Sequence, residues 1–188
     1  MEYQETGRFG RITKSLRING FEAEMPEILY DSINFTNLNK KGQTQYLECV
    51  MERMIDKLGQ ANTNKVLFSC GEQCCGKSWA NFAKRIWANS DNSIDKFVTN
   101  MNIEEEKYHT FVSYDSKNNS IIVNRKKCIC GLINKGNPFE TNKSFCNCSI
   151  GHMSAFFKAI FKVEEIILSK SIMNGDYNCE WKIKLGNV

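Results

Sequence analysis

No stretch of this chain comes near the roughly 20 consecutive apolar residues that a bilayer-spanning helix needs. The opening segment, MEYQETGRFGRITKSLRING, has no apolar core of the kind a secretory leader carries. Dense runs of one charge sign are missing as well. Lysine and arginine number 25 against 21 aspartates and glutamates, for a net charge of +4, and the one short basic run is Arg125-Lys126-Lys127. Nucleic-acid binding calls for a denser basic stripe, so this charge reads as solubility with an option on an anionic ligand. Internal repeats and low-complexity segments are also absent. These absences lead us to expect a cytoplasmic protein with no membrane or nucleic-acid partner. Its thiols are then expected to be reduced, and a homodimer is the one assembly option carried forward.

What is present is cysteine. Nine cysteines in 188 residues is a high number, and seven of them fall in three tight clusters: Cys70, Cys74 and Cys75; Cys128 and Cys130; Cys146 and Cys148. A chain of this length buries about 70% of its unfolded surface and needs no disulfides to hold a core, so the clustering asks for another reason. Hydrophobic residues at 41% and charged residues at 24% are ordinary for a globular protein.

The periodicity of the chain changes midway. Residues 1–42 are polar and read as an N-terminal arm or short helix; residues 43–188 read as a single α+β domain. Leu47, Val50, Met51, Met54, Ile55 and Leu58 recur at the spacing of one helical face, with Gly59 suited to end that helix. Trp79, Phe82, Ala83, Ile86 and Trp87 mark a second helix, and Ser93 is a possible N-cap for a third. Tyr108 to Tyr114 and Ser120 to Val123 flank a turn-rich segment and predict a hairpin. Ile150 to Phe161 is helical again. Val163 to Ile172 and Cys179 to Leu185 form a second hairpin around Asn174-Gly175-Asp176. This order predicts an antiparallel sheet of two hairpins with helices packed on one side and a helical N-terminal region.

Gly71 to Ser78 matches the P-loop pattern G-x-x-x-x-G-K-[ST] at every required position. The pattern would make backbone N–H groups cradle phosphates while Lys77 and Ser78 meet phosphate and magnesium. Against it, the downstream segments read as helix and hairpins rather than alternating strands and helices. The best candidate for a magnesium-holding acid, Asp115, falls in a hairpin turn. A P-loop NTPase is therefore the lesser alternative.

The two C-x-C pairs, Cys128/Cys130 and Cys146/Cys148, are joined by a loop containing Gly131, Gly136 and Pro138 that can fold back on itself. Four thiolates brought together in this way suit zinc, which is the expected cofactor. Cys70, Cys74, Cys75 and His152 are expected to line a neighbouring ligand pocket. A thiolate of Cys74, Cys75 or Cys148 with His152 as base is the corresponding enzymatic option. Inert packing of buried cysteines explains the same pattern without chemistry. His109, Trp79, Trp87 and Trp181 read as structural residues.

One stretch carries a family likeness. Phe145-Cys146-x-Cys148-x-x-Gly151, an apolar helix, Val163-Glu164-Glu165 and then Gly175-Asp176-x-x-Cys179-x-Trp181-x-Ile183 resemble the C-terminal signature of 4-vinyl reductase-type small-molecule-binding domains. That signature is similar to the one in L-2-amino-thiazoline-4-carboxylic acid hydrolase-like proteins. The Cys70–Cys75 segment and the upstream C-x-C pair look like those of uncharacterised bacterial proteins with the same signature. The resemblance covers about 40 residues and implies a helix packed on an antiparallel sheet, with the Gly-Asp-x-x-Cys turn joining the last two strands. It also implies binding of a small hydrophobic or cyclic ligand, with a thiol-dependent hydrolase of cyclic amides or thiazolines as the enzymatic variant. Ser171 stands where the reductase pattern often has a second cysteine, which argues for Cys179 as a buried strand residue.

Overall fold

The structure, a computed structural model, describes residues 2–128, 130 and 143–186. The glycine- and proline-bearing loop expected to fold the C-x-C pairs together lies outside these residues. The described chain forms two compact units, each assembled from two separate segments: Met1–Cys74 with Cys130–Gly151, and Cys75–Ile129 with His152–Val188. All nine cysteines are free thiols. Among the described residues no helix is long and apolar enough to cross a membrane.

In the first unit the N-terminal residues are core. Helices α1 (Gly10–Ile18) and α2 (Met25–Ile28) are followed by a 3-10 segment, Ser32–Asn37. They bury Phe9, Ile12, Leu16, Met25, Ile28, Leu29 and Phe35, each 5% exposed or less. Phe9 stacks on Phe35 with ring centroids 4.4 Å apart, and Tyr46 packs against both rings. Residues 1–42, read from sequence as an N-terminal arm or short helix, are packed into this unit through these buried side chains.

Helix α3 (Lys40–Ala88) runs for 49 residues. The helix expected to end at Gly59 continues, because Thr63, Val66, Leu67 and Cys70 resume the three- and four-residue spacing of buried positions. Gly59 and Gly76 take φ of +74° and +54°, the left-handed region that costs a residue with a Cβ atom. Glycine at these two places lets one helical run absorb local irregularity without ending. The P-loop reading is corrected here: residues 71–78 are part of α3, so their backbone is wound in a helix rather than looped around a phosphate. Lys77 and Ser78 lie exposed on it.

The second unit holds the sheet. Its helical layer comes from the end of α3, from α4 (Ile94–Glu105) and from the end of α5 (Asn147–Lys158). Ser93 caps α4 as its spacing predicts, its hydroxyl accepting from the Lys96 N–H. The strands are β1 (Thr110–Asp115), β2 (Ser120–Arg125), β3 (Val163–Lys170) and β4 (Cys179–Leu185). All neighbouring pairs are antiparallel, in the order β1-β2-β4-β3.

Register puts Val112, Val123, Trp181 and Leu168 on one rung and Tyr114, Ile121, Ile183 and Ile166 on the next. These side chains share a core with Ala83, Ile86, Phe97, Met101, Phe156 and Phe157 from the helices. The expected α+β architecture, two hairpins in one antiparallel sheet backed by helices, is what the chain adopts.

Two turns explain sequence features that could pass for chemistry. Asp115 accepts from the Lys117 and Asn118 N–H groups at 3.1 and 3.2 Å. These bonds, with the Asn118 side-chain amide foremost, pull its carboxyl below the ordinary aspartate range, so it closes the first hairpin. In the second, Asp176 accepts from the Ser171 N–H at 2.7 Å, Gly175 takes φ of +93°, and Cys179 Sγ accepts from the Ile172 N–H at 3.5 Å. The Gly-Asp-x-x-Cys signature is thus a hydrogen-bonded turn, with Cys179 8% exposed at the start of β4.

Candidate functional site

Three of the clustered thiols meet in the first unit. Cys70 and Cys74 sit one turn apart on α3, a spacing that places them on one face. Cys148 lies in the first turn of α5. What lets the two helices approach is Gly151, one turn beyond Cys148. A Cβ at that position would lie 1.9 Å from the Phe68 carbonyl oxygen, so only glycine allows the α5 backbone to rest against α3 beside Cys70. Polar contacts hold the same crossing. Asn147 donates to Asn64 Oδ1 and to the Ser144 carbonyl, both at 2.9 Å. Gln60 donates to Asn64 Oδ1 at 2.8 Å and to Ser144 Oγ at 3.1 Å.

Helix α1 supplies a cation. Arg11 Nη1 donates to Cys74 Sγ at 3.0 Å. The α1–α3 approach is fixed by Gln73, whose amide donates to Ser15 Oγ at 2.7 Å and to the Arg11 carbonyl at 3.5 Å. Thr63, seven residues before Cys70 and so on the same helical face, is fully buried with no hydrogen-bond partner for its hydroxyl among the described residues.

The electrostatics of the three sulfurs follow from this packing. Cys70 and Cys148 share a side-chain hydrogen bond, and that bond, burial and the Cys70 charge together push the Cys148 thiol well above its ordinary range. Arg11 opposes them. Burial raises Cys74 too, with Cys148 adding to the rise while Arg11 and Arg8 pull it down. Both thiols are therefore neutral at neutral pH and weak nucleophiles. Arg11 is half-buried, and neither it nor the exposed Arg8 has a carboxylate partner among the described residues. A guanidinium that meets neutral sulfur instead of a carboxylate leaves its positive charge open to an anion.

The remaining predicted site residues lie elsewhere. Cys75, next to Cys74 in sequence, is 2% exposed in the core of the second unit. His152 packs there edge-on to Trp79, with ring centroids 5.8 Å apart. Cys128, Cys130 and Cys146 are partly buried. Among the described residues no group of three or more His, Cys, Asp or Glu side chains is arranged to hold a metal ion. The structure thus joins Cys148, expected in the metal set, to Cys70 and Cys74, expected in the pocket. Sequence reasoning missed Arg11 altogether. It lies 63 residues from Cys74, and no local pattern marks it.

Comparison with known proteins adds a family and a fold. Residues 11–188 match a family of unknown function, DUF6144. No curated protein matches the chain. Among solved structures, an H-NOX protein from S. oneidensis, crystallised in its Fe(II)NO ligation state, is similar over 96% of this chain and 98% of that one. The TM-score is 0.50 and the identity 13%, so the likeness is one of fold.

Proposed function

We propose that this chain, which belongs to the DUF6144 family of unknown function, is a small-molecule-binding domain centred on Cys70, Cys74, Cys148 and Arg11. The observation that carries this reading is the half-buried Arg11 guanidinium, which donates to a thiol at 3.0 Å and has no acidic partner among the described residues. A charge in that position favours a ligand with an anionic group, while the sulfurs offer a soft, weakly polar surface to the rest of it. A small cyclic carboxylate combines both features. The resemblance of the C-terminal signature to domains that bind small hydrophobic or cyclic molecules agrees with this class.

Binding is favoured over thiol hydrolysis because the thiols are held protonated. Zinc at Cys128, Cys130, Cys146 and Cys148 stays a separate proposal that rests on ligand chemistry, and metal content of the purified protein measures it.

The test uses two alkylating agents of nearly equal size and opposite demand on charge. Iodoacetate is anionic and iodoacetamide neutral, and exposed Cys49 serves as an internal reference. At low salt the iodoacetate-to-iodoacetamide rate ratio at Cys74 is expected to exceed that at Cys49 several-fold, to fall towards it in Arg11→Gln, and to weaken at high salt. Equal ratios at Cys74 and Cys49 in the unaltered protein would sink the reading.

A further inference from the structure

The second unit contains a cleft of about 810 Å³ that shares no residue with the sulfur–arginine centre. Its volume falls in the range of small-molecule pockets. Its apolar wall is built from Trp87, Ile94, Ile160 and Phe161. The aromatic part of that wall is interlocked. Trp87 meets Phe161 at 4.7 Å between ring centroids, and Phe97 backs both rings at 5.9 and 5.5 Å.

The polar groups at the cleft are unevenly satisfied. Asn119 is fully engaged: its carbonyl side-chain oxygen accepts from the Tyr114 hydroxyl at 2.9 Å and its amide donates to the Leu185 carbonyl at 3.0 Å. The Lys162 ammonium and the Trp87 indole N–H, in contrast, have no hydrogen-bond or ion-pair partner among the described residues. Both are donors, and one carries a charge.

Lys162 is nonetheless held in place. Its carbonyl accepts from the Gly186 N–H at 2.9 Å, and its aliphatic stem passes so close to Gly186 that a Cβ there would lie 3.0 to 3.3 Å from three of its carbons. The absence of a side chain at 186 leaves room for the lysine stem beside it, where both residues line the cleft. Among the described residues no carboxylate lines the cleft to neutralise it.

We infer that this cleft binds a small aromatic carboxylate, its ring against Trp87 and Phe161 and its anionic group at Lys162 and the indole N–H. An aromatic body matches the aromatic wall, and a carboxylate is an acceptor-only group that fits unsatisfied donors. This site is independent of the sulfur–arginine centre, and either can fail without the other.

Calorimetric titration of the full chain with naphthalene-2-carboxylate and with the neutral naphthalene-2-carboxamide tests it. The carboxylate is expected to bind about three- to tenfold more tightly than the amide, the discount from a buried charged bond reflecting the exposure of Lys162. Lys162→Met should bring the carboxylate down to the affinity of the amide while leaving the amide unchanged, and Arg11→Gln should alter neither. Because Lys162 is exposed, the variant keeps its fold, which circular dichroism checks. The inference is overturned by absent saturation with millimolar carboxylate, by equal affinity for the two probes, or by loss of binding in Arg11→Gln but not in Lys162→Met.

Discussion

A single missing methyl group at residue 151 sets where three sulfurs lie. The Cβ that alanine would add at this position meets the Phe68 carbonyl oxygen at 1.9 Å, a separation that no side-chain rotation relieves because the obstacle is backbone. Gly151→Ala is expected to cost about 2–3 kcal/mol, the upper part of the over-packing range, read from urea denaturation. It should also speed alkylation of Cys148 by parting the helices.

The raised Cys148 thiol has its own consequence for stability. The folded chain keeps a proton there that the unfolded chain releases, so the folded-state pKa lies above the unfolded value of about 8.5. The associated stability is complete below that unfolded value and is lost as pH rises through the folded one. Denaturation midpoints measured upward from about pH 8.5 should therefore fall with pH, and Cys148→Ser should reduce that slope without abolishing it, since burial also raises the Cys74 and Cys179 thiols. The presence of clustered thiols was legible in the sequence. The pairing of Cys148 with Cys70 was not, since the two lie in different clusters and are joined only by the contact that Gly151 permits.

At the scale of elements, α3 departs furthest from expectation. Glycine after an amphipathic run is an ordinary stop signal, and at Gly59 the backbone does enter the left-handed region. The helix continues because the residues after it have further apolar surface to bury. A Cβ added at Gly59 or Gly76 would meet nothing within 4 Å, so substitution there carries only a backbone cost. Gly59→Ala and Gly76→Ala are each expected to destabilise by about 1–2 kcal/mol with no change in the shape of the far-ultraviolet dichroism spectrum. The hairpins were read correctly because their signals are local: alternating residues flank turns closed by Asp115 and Asp176. The P-loop pattern failed at the same scale. Eight residues can match a phosphate-binding motif in type and spacing while the surrounding apolar periodicity winds them into α3.

For the molecule as a whole, neither unit is continuous in sequence. The first takes residues from both ends of a long interval, and α3 and α5 each contribute to both units. The sulfur–arginine centre draws on α1, α3 and α5, so no contiguous fragment short of most of the chain contains it. Residues 1–74 produced alone carry Arg11, Cys70 and Cys74 but lack Cys148 and Gly151. In that fragment Cys70, 2% exposed in the full chain, should alkylate as fast as Cys49 by peptide mass mapping, whereas in the full chain it should lag far behind.

The amino-acid sequence by itself determined the elements whose signals are short-range: the capped helix after Ser93, both hairpins and their turns, and the apolar faces that make an α+β chain. Hydrogen bonds and side-chain periodicity within a few residues suffice for those. Only the tertiary structure decided which cysteines meet, that Arg11 joins them, and that Lys162 lines an aromatic cleft. Each of these depends on approaches between backbones far apart in the chain, made at Gly151, at Gln73 and at Gly186, that no local pattern of residue types encodes.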